Sequence, residues 1–185
     1  MIAFEPSAEQ KNLQEYFNRL LETKIRPLSL KLDACAPGPI DENYLEFIAK
    51  ENLNAFIIPE QYGGRPLDHV SLALIIEELG YGCAGLATIY IATLHAVFAL
   101  LIGGSETQKK HFLPRLLQPA CVGAGGGITV EWGGSDTSSF STTARLEGDY
   151  YVVNGTKSHV LNAGNASFYL VWANSDATKG RDGIN

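Results

Sequence analysis

The chain has 185 residues, 45% hydrophobic and 18% charged, with Lys+Arg 14 against Asp+Glu 20 and a net charge of -6. That length buries a sizeable core, as one domain or two small ones, and the composition is globular rather than disordered. Lys109-Lys110 is the only adjacent basic pair, so clustered positive charge is missing and a nucleic-acid partner is excluded. Cys35, Cys83 and Cys121 are odd in number and lack metal or redox spacing; they read as buried free thiols in a reducing compartment. Glu5, Glu9 and Lys11 replace the apolar core of a secretory signal, so a cytoplasmic location is expected, or the mitochondrial matrix in a eukaryote. The sequons at Asn154 and Asn165 are then unmodified.

Helix starts are marked throughout the first half. Ser7 followed by Gln10 is a capping-box signature ahead of Leu13, Phe17, Leu20 and Leu21 at helical spacing. Pro27 is expected to end or kink that helix, and Pro37-Gly38-Pro39 is a firm break. Asp41 can cap a second helix with Leu45, Ile48 and Ala49 inward. The run from Phe56 to Gly64 reads as an extended segment closing in a glycine turn, and Asp68 caps a third helix through Leu74, Ile75 and Leu79. Between Leu79 and Ser105 there is no Asp, Glu, Lys or Arg. Such a run is long enough to span a bilayer, but Gly80, Gly82 and Gly85 interrupt its start and polar residues dilute it. It is read as a fourth, buried helix from Gly85 to Ile102, with no membrane span. Ser105 with Gln108 is a second capping box, opening a helix through Phe112 and Leu116.

After Pro119 the periodicity changes. Cys121 to Val130 is small and apolar, Ser141 to Leu146 alternates, and Tyr150 to Val153 is aromatic and β-branched. Glu147-Gly148-Asp149 makes a hairpin turn between the last two, and Phe168 to Trp172 is a further strand. Helices followed by strands, without β-α-β alternation, imply an α+β chain. The expectation is an all-α helical bundle over residues 1–119, then a partial antiparallel β-barrel over 120–185. The sheet reads as unfinished at Asn185, leaving Phe168, Leu170 and Trp172 beside an unpaired edge that invites self-association.

IIPEQYGG at Ile57–Gly64, GSETQKKHFLPRL at Gly104–Leu116, TVEWGGSD at Thr129–Asp136 and GDYYVVNGTK at Gly148–Lys157 together resemble the acyl-CoA dehydrogenase family, over nearly the whole chain. The resemblance implies a helical N-terminal domain, a β-barrel middle domain and a C-terminal four-helix domain, the last absent from these residues. It implies flavin adenine dinucleotide (FAD) as cofactor, an acyl-CoA substrate, a homo-oligomer, and removal of an α-proton by a glutamate as the β-hydride passes to the flavin. That glutamate falls beyond residue 185 in the family plan, so no catalytic residue is assigned and the chain alone is expected to be inactive. Carried over by motif, the flavin-contacting residues are Gly126, Gly127, Ile128, Thr129, Gly134 and Ser135, with His159, Val160 and Leu161 on a second strand. Ser135 also faces the acyl-CoA.

The sequence departs from the family at several of these positions. The Glu-Pro pair after the threonine is Val130-Glu131, which moves the carboxylate to the other face of a strand. An aromatic residue is replaced by Gly126, a tryptophan by His159 and a threonine by Leu161, losing stacking area and a polar partner. A second reading therefore stands beside the first: a non-catalytic relative acting as partner subunit or acyl-CoA-binding module. Glu77 and Glu78 read as a solvated helix face, Glu131 as a surface residue and His95 as a satisfied core histidine or pocket liner. His69, His95, His111 and His159 lack metal-ligand spacing.

Overall fold

The computed structural model describes residues 5–36, 38–130, 133–136 and 141–184. Ser7 caps α1 (Ala8–Leu20) through the reciprocal bonds of a capping box with Gln10. The helix does not end at Pro27. It widens into a π-helical turn over Leu21–Ile25 and resumes as α2 (Arg26–Asp33). Arg26 N–H reaches back to Leu21 O, and Pro27 falls in the first turn of the new segment, where its missing N–H costs nothing. Asp41 caps α3 (Glu42–Lys50), whose buried residues are Tyr44, Phe47 and Ile48.

The segment expected to be extended is instead two short 3-10 turns, Leu53–Ile57 and Glu60–Tyr62. Its chain doubles back: Arg65 N–H donates to Ala55 O at 2.7 Å and Leu67 N–H to Phe56 O at 3.0 Å. Gly64 permits the fold-back, since a Cβ there would lie 1.8 Å from Ile58 O. Sequence pattern missed this because the apolar run is buried without being paired as a strand.

Asp68 accepts from Val70 N–H and Ser71 N–H at the start of α4 (His69–Gly82). Those bonds, with the Ser71 hydroxyl foremost, hold its carboxyl below the usual range. Glu77 is exposed as expected, but Glu78 is not on a solvated face. It is 7% exposed and accepts from Gln14 Nε2 at 3.0 Å and Asn18 Nδ2 at 2.7 Å, which tie α1 to α4.

The charge-free run forms α5 (Ala84–Gly103). It is long and apolar enough to cross a membrane by length and composition alone, yet over half of it is buried inside the molecule. Leu86, Ala87, Ile89, Tyr90, Thr93, Leu94, Ala96 and Val97 are all buried. The fully buried Tyr90 phenol donates to Leu53 O at 2.8 Å. A central helix buried around most of its circumference needs this composition. The capping box of Ser105 with Gln108 opens α6 (Glu106–Phe112), and Leu113–Leu117 continues as a 3-10 turn.

The β part comprises β1 (Gly123–Gly127), β2 (Thr143–Glu147), β3 (Tyr150–Asn154) and β4 (Phe168–Val171). The antiparallel β2–β3 hairpin turns at Gly148, φ +62°, the positive-φ position that a two-residue turn demands. The other pair, β1 with β4, is parallel and carries an irregularity between Ala124 and Gly127. Asn174 joins the two pairs: Ala144 N–H donates to its carbonyl and its own N–H to Thr142 O. No closed barrel forms among the described residues. Gly123, Gly125 and Gly127 of β1 allow close packing. A Cβ on Gly125 would lie 2.3 Å from Ala96 N and 2.6 Å from Ala92 O of α5. Only a glycine lets the strand approach the helix backbone so closely.

The cysteines are free, but Cys35 is exposed and Cys83 and Cys121 only half-buried. Cys35 follows the end of α2 in the loop leading to Asp41, beyond the reach of the core.

Candidate functional site

Where β1 leaves its sheet, the backbone forms a ledge. Ile128 N–H donates to Gly126 O at 2.7 Å, a three-residue turn centred on Gly127. Thr129 O then accepts from Ser158 N–H at 3.0 Å, and Ile128 O accepts from the Lys157 ammonium at 3.0 Å. Two segments separated by nearly thirty residues are thereby brought together: Gly126–Thr129 and Lys157–Leu161. Burial lowers the Lys157 pKa, as expected for a half-buried ammonium whose charged form loses hydration.

The second segment is pinned from below. Asn162 sits in the left-handed region at φ +62°, which Asn tolerates better than most side chains. Its amide nitrogen donates to Ile89 O at 2.9 Å and Gly123 O at 2.8 Å, so one side chain bridges α5 and β1. Thr93 Oγ1 accepts from Gly123 N–H at 3.1 Å on the same helix. His159, also left-handed at φ +53°, is exposed. Val160 is half-buried and Leu161 is 38% exposed.

Gly134 lies over the ledge: a Cβ there would stand 2.8 Å from Thr129 Oγ1. Val130 and Gly133 exchange both backbone hydrogen bonds at 3.1 Å, which folds the chain so that Gly134 returns onto Thr129. Ser135 is exposed. Glu131, expected at the surface, lies outside the described residues.

The glycines in this group differ in what requires them. A Cβ on Gly127 would lie 2.5 Å from Leu170 O, so its close neighbour is the chain itself. At Gly126 a Cβ would meet nothing within 4 Å. That position leaves half-buried backbone open to a flat group approaching from outside.

His95, read from sequence as a core histidine or a pocket liner, is corrected in the first of these. It is exposed, not a core histidine. The charge-free helix is not buried all round: Thr88, Ile91, His95 and Ile102 follow one another at helical spacing on its open side, and Ile102 is 87% exposed. The stripe runs past the crossing with β1, where the His95 Cβ lies 2.5 Å from the position a Cβ on Gly125 would take. Lys157, Asn162 and Thr93 were not singled out as site residues by pattern. Asn162 carried a faint signal, an Asn preceding Ala163-Gly164 in a turn-rich stretch. The Lys157 and Thr93 contacts exist only in three dimensions.

No group of three or more His, Cys, Asp and Glu side chains suited to a metal ion occurs among the described residues.

Comparison with known proteins gives a consistent picture. The profile "Acyl-CoA dehydrogenase, N-terminal domain" matches residues 7–119, and "Acyl-CoA dehydrogenase, middle domain" matches residues 126–185. The chain is 30% identical over 180 residues to cyclohex-1-ene-1-carbonyl-CoA dehydrogenase of Syntrophus aciditrophicus, which covers 97% of this chain and 43% of that protein. It superposes on butyryl-CoA dehydrogenase from Megasphaera elsdenii with a TM-score of 0.87 at 29% identity, covering 99% of this chain and 48% of the other. An acyl-CoA dehydrogenase from Bacillus anthracis, solved in complex with FAD, matches with a TM-score of 0.76 at 27% identity, over 96% of this chain and 30% of that one. The chain thus spans less than half the length of these relatives.

Proposed function

From the premise that the chain belongs to the acyl-CoA dehydrogenase family, we propose that it supplies one wall of a flavin site in an enzyme that oxidises an acyl-CoA thioester between its α and β carbons. Residues 1–119 act as the helical scaffold and 120–185 as the β unit carrying the wall. The observation that carries this reading is the joining of Gly126–Thr129 to Lys157–Leu161 through the Ser158 N–H and the Lys157 ammonium.

These residues fit FAD in kind. The open backbone at Gly126 admits a planar ring edge, Thr129 adds a hydroxyl, and Gly134 lies against that hydroxyl with the exposed Ser135 beside it. His159 and Leu161 offer exposed ring and aliphatic surface, Val160 backs them, and Gly127 and Ile128 hold the edge in place through their bonds to Trp172, Gly126 and Lys157. The Lys157 charge beside Ile128 O favours a cofactor that carries negative charge. When bound, the flavin supplies the hydride acceptor. What this chain contributes is binding and orientation, with Ser135 turned toward the acyl-CoA. The open side of α5, with the half-buried Ile91 and the exposed Ile102, offers apolar surface for an acyl group. A location in the cytoplasm or mitochondrial matrix and assembly as a homo-oligomer belong to the same reading.

A second reading, an acyl-CoA-binding relative without flavin chemistry, draws on His159 and Leu161, which stack and hydrogen-bond less well than the family's residues. One experiment separates them. With only one wall present, the 185-residue chain is expected to retain no flavin through purification and to show no dehydrogenase activity. Titrating an isotope-labelled sample with excess FAD should nonetheless shift the amide resonances of 126–129, 134–135 and 157–161, and Gly126→Val should abolish the shifts. Shifts from an acyl-CoA but none from FAD favour the second reading. No site-specific shift with either ligand sinks both.

A further inference from the structure

We propose that Asn162 and Thr93 are positioning residues: through a closed circuit of hydrogen bonds they fix the backbone that presents His159, Val160 and Leu161 to the cofactor. The Asn162 amide nitrogen donates to Ile89 O at 2.9 Å and to Gly123 O at 2.8 Å. The Thr93 hydroxyl donates to the same Ile89 O at 3.3 Å and accepts from Gly123 N–H at 3.1 Å. One ring of bonds thus joins α5, β1 and the 157–162 segment. Thr93 is fully buried and Asn162 is 7% exposed, so water replaces neither partner and a broken bond is costly.

The backbone shows what the circuit holds. His159 at φ +53° and Asn162 at φ +62° are both left-handed without being glycine, with only Val160 and Leu161 between them. Such conformations persist where the surroundings over-determine them, and they gather at binding sites. At its start the segment is tied by Ser158 N–H to Thr129 O and by Lys157 to Ile128 O. At its end the tie is the buried Asn162 amide. Val160 O accepts from Ala163 N–H, and Asn162 O from Asn165 and Ala166 N–H. Those turn bonds shape the loop but do not locate it against α5.

Tolerance of positive φ would by itself account for an asparagine at 162. A glycine would tolerate that backbone better, yet would make neither bond. The role assigned to Asn162 is therefore that of a donor, with Thr93 completing the ring from the helix side. This inference rests on the flavin-wall reading for its purpose, and its test separates the two.

The test uses the full 185-residue chain, isotope-labelled. Asn162→Gly suits the left-handed backbone and Asn162→Asp keeps the shape of the side chain, but both lose the two donations. Each is expected to move the amide resonances of 159–161 and make them mobile on the nanosecond scale, while those of α1 and α3 stay in place. Order at 159–161 like the parent's, in either variant, would overturn the proposal. Thr93 supplies an arm that does not touch the loop: Thr93→Val removes the hydroxyl and Thr93→Ser keeps it. Hydrogen exchange at Gly123 N–H should quicken about tenfold in Thr93→Val, as for one lost buried bond, and stay near the parent rate in Thr93→Ser. Equal rates in the two would also overturn it. With excess FAD, Asn162→Gly should lose the shifts at 157–161 and keep those at 126–129. If the parent gives no shift with FAD, the flavin reading falls, while order at 159–161 and exchange at Gly123 still decide whether the circuit positions the segment.

Discussion

Glu78 shows how much a single side chain can depend on its distant partners. Its neighbour Glu77 has the same chemistry one position away and faces solvent, whereas Glu78 turns inward onto Gln14 and Asn18. Removing the carboxylate would strand two amide donors at the α1–α4 contact. Glu78→Ala is therefore expected to cost about 1–3 kcal/mol in chemical denaturation, since hydrogen bonds to charged groups contribute that much and unpaired donors are penalised. Glu78→Gln should cost less, and an Ala variant as stable as the parent would refute the assignment. Tyr44 gives a pH signature. Burial, reinforced by its contact with Cys83 Sγ at 3.3 Å, pushes its phenol up to about 12. The folded state then holds a proton that the unfolded state releases near 10, so stability is complete below pH 10 and falls as pH rises toward 12. Tyr90, deeper still, is also raised by burial. Titration of tyrosinate absorbance should show a late class of phenols that ionises together with unfolding; uniform titration of all tyrosines in the folded protein would count against it.

Among the elements, α5 carries the core, and β1 exists in its present form because α5 is there. Leu94 is 4% exposed on the buried side of that helix. Leu94→Ala is expected to cost about 2–5 kcal/mol, the range for a large-to-small change at a buried site. A loss below about half a kcal/mol, the scale of ordinary surface substitutions, would contradict its placement. The glycines at 125 and 126 look alike in sequence but serve different ends. The first accommodates the backbone of α5, while the second is open to the outside. Helix starts were the most legible elements, because Ser7, Asp41, Asp68 and Ser105 each cap through their own side chains within three residues. The continuation through Pro27 was not legible. A π-helical turn rearranges several backbone bonds at once, and no residue type announces it.

At the scale of the molecule, the helical unit is well packed while the β2–β3 hairpin stands largely uncovered. Register sets Ala144, Leu146, Tyr151 and Val153 on one face of the hairpin. Leu146, Tyr151 and Val153 are 59%, 64% and 54% exposed. Exposed apolar surface along a strand edge favours pairing with another chain. Self-association of the 185-residue form is expected on these grounds through this hairpin, as well as along β4, whose second edge has no strand partner among the described residues. The Phe168 ring itself is covered by Phe112, with ring centroids 5.1 Å apart. Sedimentation over a wide concentration range should show a mass that rises with concentration, and Tyr151→Lys with Val153→Lys should suppress it. A sharp monomer throughout would remove the expectation. The ledge is likewise a whole-molecule feature. Pattern located Gly126–Thr129 and His159–Leu161 as separate stretches, and their meeting depends on Ser158, Lys157 and Asn162 reaching across the fold.

The amino-acid sequence by itself determined the change from helix to strand after Pro119, the capped helix starts and the charge-free central helix. Each follows from interactions within a few residues or from burial that composition records directly. It also carried the four motifs by which the family can be identified. Tertiary structure alone decided which glutamate of the Glu77-Glu78 pair is buried, that His95 faces outward, and that β1 pairs in parallel with β4. These outcomes turn on which surfaces meet, and a side chain's environment is then set by residues dozens of positions away. A linear pattern records what a residue can do, whereas packing selects among those possibilities, because only the folded chain fixes which partners are within reach.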